Sequence, residues 1–105
     1  MKTQPGEIWL ADLGLAAKPR PIVIVSRPDP NPPRVLVVYV PLTTQYRGSR
    51  YEVPLGKLPF LDQASNANVQ GMGSIPEARL EHKLGQLPAS LMTQVQDAIR
   101  FALEL

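Results

Sequence analysis

The sequence predicts a mostly β (α+β) fold: a small, strongly bent antiparallel sheet or partly open barrel with a C-terminal α-helix. Three observations predict it. Twelve prolines in 105 residues argue against long helices over most of the chain, because each removes a backbone donor and fixes φ. Short β-branched runs bounded by turn residues recur through the first four-fifths of the sequence. Only Pro88 to about Leu103 carries helical periodicity, with Leu91, Val95, Ala98, Ile99, Ala102 and Leu103 on one face. Gln94, Asp97, Arg100 and Glu104 lie mostly opposite. A chain of this length suits one domain with one modest core, here residues 1–105.

The elements follow in order. Pro5-Gly6 signals a turn, and Glu7 to Ala11 reads as a short first strand. Gly14 to Pro19 is a loop. Pro21 to Ser26 is a β-branched run apolar on both faces, which predicts a buried strand. The proline-dense Pro28 to Pro33 is a loop. Arg34 to Leu42 is a second buried strand, and the two form an antiparallel pair. Arg50 to Leu55 alternates and predicts a strand with one exposed face. Gly56 to Ala64 is a loop. Asn66 to Met72 is a weak strand. Pro76 to Glu81 predicts one or two helical turns, and His82 to Leu87 a last strand. Pro88 suits the first turn of the final helix, with Leu87 a poor N-cap.

Composition narrows the chemistry. There are no cysteines, which excludes disulfides, thiolate metal sites and a cysteine nucleophile, and which suits a reducing compartment. No apolar run approaches the length of a membrane span, and the first residues lack a signal-peptide core, so the expected location is cytoplasmic. The net charge of +2 is unevenly spread. Residues 18–57 hold seven basic and two acidic side chains, net +5, and the remainder holds four and seven, net −3. The basic half could attract a polyanion; the same charges also suit a solvated strand edge.

The single histidine, His82, rules out a two-histidine acid–base couple within one chain and reads as a surface residue. There is no HExxH, no paired histidine, no acidic cluster, no phosphate-binding loop and no GxGxxG. No metal or cofactor is therefore expected. Two places remain. Lys18-Pro19-Arg20-Pro21 precedes the first buried strand, and the flanking prolines restrict Arg20. A guanidinium there could hold a phosphate through two parallel charge-assisted bonds, or could merely keep a strand edge soluble. Pro41-Leu42-Thr43-Thr44-Gln45 leaves the core at a strand end. Its side chains could donate to phosphates or bases, or could close a turn on their own backbone. If the two strands pair, Arg20 and Thr43 could share a pocket.

At these residues the chain resembles the MazF/PemK/Kid toxin family. Pro5 to Leu13 (PGEIWLADL) resembles that family's first strand. Arg20 to Ser26 (RPIVIVS) resembles its Arg-Pro, apolar strand and Ser signature. Val40 to Gln45 (VPLTTQ) is similar to its Pro-x-Thr segment, and Arg50 to Leu55 to the strand after it. Ser65 to Ile75, Arg79-Leu80 and Leu84 to Leu87 are similar to its C-terminal half. The ordered set covers nearly the whole chain and is more specific than any one motif.

The resemblance implies an SH3-like barrel with a C-terminal helix, the MazF/CcdB-like fold, and a homodimer. It implies metal-independent cleavage of single-stranded RNA at a short sequence, and a cognate MazE/PemI-like antitoxin that covers the RNA groove. By position, Arg20 matches the family's catalytic arginine and Thr43 its catalytic threonine. Lys18, Thr44, Gln45, Arg47, Asn68 and Gln70 are the candidate substrate-binding residues. Two departures stand out. The loop before Arg20 is short and lacks an acid. Asn68 and Gln70 occupy positions where some members carry Arg-x-Asp, and neutral amides can read bases but cannot act as general bases. These departures favour the runner-up reading, a non-catalytic relative that binds RNA or a protein such as DNA gyrase. A further, structural reading makes the apolar face of the last helix a dimer interface.

Overall fold

The computed structural model describes residues 3–14 and 18–105; Leu15 to Ala17, the centre of the loop expected before Arg20, lie outside the described residues. The strands are β1 (Glu7–Ala11), β2 (Arg20–Ile24), β3 (Leu36–Thr43), β4 (Glu52–Gly56), β5 (Ser65–Asn68), β6 (Gly73–Pro76) and β7 (Leu80–Gln86), followed by helix α1 (Ala89–Leu103). They form one antiparallel sheet in the order β4-β5-β3-β2-β1-β7, with β6 paired to β3 off that path. The β1–β7 pair breaks register between Ile8 and Trp9 and again between Leu10 and Ala11, and β4–β5 breaks between Pro54 and Gly56. Such irregularities bend a sheet and increase its twist. The expected bent sheet with a C-terminal helix is observed.

β3 organises the sheet. One edge pairs with β2 through Tyr39 to Pro41. The other is divided between β6, along Leu36 to Tyr39, and β5, at Leu42 and Thr43. A 3-10 turn, Val69–Gly71, links β5 towards β6 at the level of Pro41. A Cβ on Gly71 would stand 2.8 Å from Pro41 Cγ, so glycine permits this close passage. The weak strand expected over Asn66–Met72 therefore breaks into β5 and this turn. β6 was not foreseen, because Gly73-Ser74-Ile75-Pro76 has poor strand propensity. It forms because β3 presents an unpaired edge.

Apolar side chains pack on both faces of the central strands. On one face lie Ile8, Val23, Val40, Leu42, Val53, Ala67 and the helix residues Met92, Val95 and Ala98. On the other lie Ala11, Ile22, Ile24, Val37, Ile75 and Leu80, edged by Trp9 and Tyr39. Ile22, Val23 and Ile24 are fully buried, as the unbroken apolar run of β2 predicts. β3 differs from expectation. It begins at Leu36, and Val35, Leu36 and Val38 are exposed, the first by 64%. The strand's first half runs alongside β6 beyond the reach of α1, which rests on β4 and the 3-10 turn.

The C-terminal half departs from the expected elements at several points. The helical turn expected over Pro76–Glu81 is only a 3-10 turn, Glu77–Arg79, between two strands. The last strand starts two residues early, at Leu80. α1 begins at Ala89, with Pro88 itself at the N-cap and no side-chain cap. Its buried positions are Met92, Val95 and Ala98, whereas Leu103 is exposed. The inward stripe is thus rotated towards Met92. Because that stripe packs on the chain's own core, it is not a free dimer face.

Candidate functional site

Arg20 opens β2, paired with Ala11 of β1. The β2–β3 register sets Ile22 against Pro41. Carried two residues outward, it brings Arg20 level with Thr43, the last residue of β3. Both then belong to the face that carries Ile22, since strand side chains alternate. Arg20 and Thr43 line one cleft of about 180 Å³ with Pro21, Leu42, Thr44 and Ser65. Arg20 is exposed, and its side chain has no hydrogen bond or ion pair among the described residues. Its guanidinium is thus available to a ligand, while pairing with Ala11 of β1 holds its backbone.

Thr43 has a local task as well. Its Oγ1 accepts a hydrogen bond from the Gln45 backbone N–H at 3.2 Å. This is the turn anticipated from the Thr-Thr-Gln sequence. It does not exclude a ligand role: the hydroxyl accepts from Gln45 and retains its own proton to donate.

Two residues outside the candidate set hold this strand end. Asn66 of β5 is buried, and its Nδ2 donates to the carbonyls of Thr43 (3.4 Å) and Gln45 (3.2 Å). A polar residue in a short strand was the only sequence signal, and it becomes meaningful only once β5 pairs with β3. Asn66→Ala is expected to leave both carbonyls without this partner and to cost about 1–3 kcal/mol. Urea unfolding checks this: the midpoint falls while the slope stays constant.

The second is Glu52 of β4. Its carboxylate accepts from the backbone N–H of Arg47 (3.0 and 3.3 Å), the Ser49 N–H (3.0 Å) and the Ser49 hydroxyl (2.8 Å). The Ser49 backbone bond first, then the Ser49 hydroxyl, the Arg47 backbone N–H and the Arg47 charge hold this carboxyl below its ordinary value of 4.5, against a small opposing effect of burial. A lowered folded pKa gives stabilisation that is complete above about the ordinary value and is lost as pH falls through the lowered one. Backbone amide NMR should therefore show the Arg47 and Ser49 signals unchanged from neutrality down to about pH 5, then shifting together at lower pH. In Glu52→Gln that acid transition should be absent.

The remaining candidates are placed as follows. Thr44 lines the cleft with Arg20 and Thr43. Lys18 is exposed in the approach to β2, and Gln45 and Arg47 are exposed in the segment after β3. Asn68 and Gln70 do not line the cleft. Asn68 faces Glu52 across the β4–β5 pair, and its Oδ1 caps the 3-10 turn by accepting from the Gln70 N–H at 3.1 Å. Arg50 lies over the Phe101 ring of α1, 3.9 Å from its centroid, a cation–π contact that directs this charge to the helix. His82 is exposed on β7, as expected. Among the described residues, no three His, Asp or Glu side chains cluster as metal ligands, and no helix is long and apolar enough to cross a membrane.

Comparison with known proteins agrees with this architecture. The model of the PemK-like, MazF-like toxin of type II toxin–antitoxin systems matches residues 4–103. Endoribonuclease MazF3 of Mycobacterium tuberculosis is 33% identical over 88 residues, covering 84% of this chain and 85% of that protein. Probable endoribonuclease MazF5 of the same species is 30% identical over 101 residues, covering 94% and 91%. Among solved structures, Mycobacterium tuberculosis toxin MazF-mt6 superposes with a TM-score of 0.82 at 32% identity, covering 94% of this chain and 97% of that one. An endoribonuclease in complex with its cognate antitoxin, from a mycobacterial species, superposes at 0.85 with 27% identity, covering 98% and 96%. With a matched model over nearly its whole length and relatives at this identity, the chain belongs to the PemK-like, MazF-like toxin family of type II toxin–antitoxin systems.

Proposed function

We propose that this toxin-family chain is a metal-independent, sequence-specific endoribonuclease that cuts single-stranded RNA in the cytoplasm and is inhibited by a cognate antitoxin. The observation that carries the reading is the shared cleft of Arg20 and Thr43 at adjacent strand ends. The RNA's own 2′-hydroxyl oxygen attacks the neighbouring phosphorus and the bond to the 5′-oxygen breaks. The products are a 2′,3′-cyclic phosphate and a free 5′-hydroxyl. The nucleophile comes from the substrate, so no serine or cysteine is needed. Arg20 binds the extra negative charge of the phosphorane through its planar fork of donors. Thr43 donates its hydroxyl to a phosphate oxygen while Gln45 holds it in place. No carboxylate or imidazole lines this cleft among the described residues, so in this reading water accepts the 2′-hydroxyl proton and returns one to the leaving oxygen. DNA would bind without reacting, because it lacks the 2′-hydroxyl. The antitoxin-bound neighbour and the curated endoribonucleases support both partners, RNA and antitoxin. A homodimer is the assembly the family resemblance implies.

The lack of a carboxylate in the cleft also favours a second reading, a non-catalytic relative that binds RNA or a protein target. One experiment separates them: incubation with a long mixed-sequence RNA in EDTA, with Arg20→Ala alongside. Discrete fragments with 5′-hydroxyl ends from the wild type alone support the ribonuclease. Intact RNA supports the binder.

A further inference from the structure

A second cleft adjoins the first. It has a volume of about 500 Å³ and shares Arg20, Pro21, Thr44 and Ser65 with the Arg20–Thr43 cleft. Its own walls are apolar, formed by Leu10, Phe60, Leu61 and Leu84, with Asp62 and Gln63 at the polar side. That volume lies within the range of small-ligand sites, and apolar walls with a few polar groups are their usual lining.

The loop between β4 and β5 that builds this wall is held at several points. Leu58 is buried in the main core. The Lys57 ammonium donates to the carbonyls of Leu58 and Leu61, and the Leu61 N–H donates to the Leu58 carbonyl. Ser65 Oγ donates to the Gln63 carbonyl at 3.1 Å. The Phe60 ring lies directly on Gly85 of β7, where an added Cβ would come within 2.5 Å of it. By contrast, the Asp62 carboxylate has no hydrogen bond or ion pair among the described residues.

We propose that this second cleft binds a guanine base next to the scissile phosphate, and that Asp62 reads it. The inference rests on the ribonuclease reading above. A carboxylate repels phosphate, so its ligand in an RNA cleft is a base or a sugar. An ionised carboxylate only accepts. Guanine alone presents two adjacent donors, N1–H and the N2 amine, on its Watson–Crick edge. Uracil places carbonyls beside its single N–H, and adenine and cytosine place a ring acceptor beside their amine. Asp62 is exposed at the polar side of the cleft, where an incoming base can reach it, and Phe60 supplies an aromatic surface for the base. The placement of Asp62 in the roomier, apolar-walled cleft, rather than beside Thr43, favours base recognition over proton transfer.

The test maps 5′-hydroxyl ends on a randomised RNA pool cut by the wild type and by Asp62→Asn, and titrates both proteins with GMP, AMP, CMP and UMP while following Phe60 and Gln63 by NMR. The expected result is guanine enriched at one fixed position beside the cut, with the preference reduced roughly 5- to 150-fold in Asp62→Asn. Enrichment of another base, or guanine enrichment that Asp62→Asn leaves unchanged, overturns the proposal. So does an equal loss of cutting at every site with base preference intact, which would make Asp62 the proton acceptor. If the wild type cuts no RNA, the ribonuclease reading fails and the titration alone decides the pocket. GMP-selective shifts that disappear in Asp62→Asn then uphold it, and equal or absent responses to the four nucleotides overturn it.

Discussion

Arg20→Ala is expected to lower RNA cleavage by at least about 10²–10³-fold, the usual effect of removing one preorganised donor from a developing oxyanion. The side chain is exposed and makes no hydrogen bond or ion pair among the described residues, so its removal should change folding stability by no more than about 0.5 kcal/mol. That separation makes the experiment informative: circular dichroism and thermal unfolding should match the wild type while single-turnover cleavage collapses. Arg20→Lys should recover only part of the rate, because an ammonium is a point charge and cannot present two parallel donors to a phosphate. A folded Arg20→Ala protein that cuts RNA at the wild-type rate would remove Arg20 from the centre of the reaction.

Thr43→Val should cost about 10²–10³-fold in cleavage as well, for a different reason. Valine keeps the branched shape of β3's last residue but has no hydroxyl. Two functions go with it: the donor to phosphate and the acceptor for the Gln45 N–H. Thr43→Ser distinguishes them from shape, since it restores the hydroxyl and should return most of the rate. Because Asn66 still holds the Thr43 and Gln45 carbonyls in Thr43→Val, the strand end should keep its position. The backbone amide of Gln45 should exchange with solvent faster, and the rest of the protein should be unaffected. Equal cleavage by Thr43→Val and the wild type would leave Thr43 as a turn residue only.

Much of this architecture is legible in the sequence because the signals are local. β1 and the proline loop at 28–33 follow from turn chemistry and β-branched runs. The burial of β2 follows from three consecutive apolar residues, Ile22, Val23 and Ile24. The helix follows from its period, and Arg20 and Thr43 stand out as polar residues where apolar strands begin and end. The ordered resemblance to the toxin family agrees with the family found by comparison.

Other features depend on partners that local sequence cannot specify. β6 is a strand only because β3 offers it an edge, and Pro76 ends that strand instead of starting a helix. Val35 and Val38 look like core and are exposed, because no second layer covers β3 there. The inward stripe of α1 is set by what the helix packs on: Met92 is buried, 3.9 Å from where a Cβ on Gly6 would stand, whereas Leu103 is exposed.

The site divides along the same line. The sequence by itself determined a mostly β chain with a C-terminal helix and its toxin-family character, and it singled out Arg20 and Thr43 as candidates, since residue type, period and order are properties of the chain. Only the tertiary structure decided that these two share a cleft and that Asn66 and Glu52 hold the segment between Thr43 and Ser49. It also decided that Asn68 caps a turn away from the cleft and that the loop at 57–64 walls a second one. The physical reason is strand register: which side chains meet is set by how β3 pairs with β2 and β5, and pairing is a contact between residues distant along the chain.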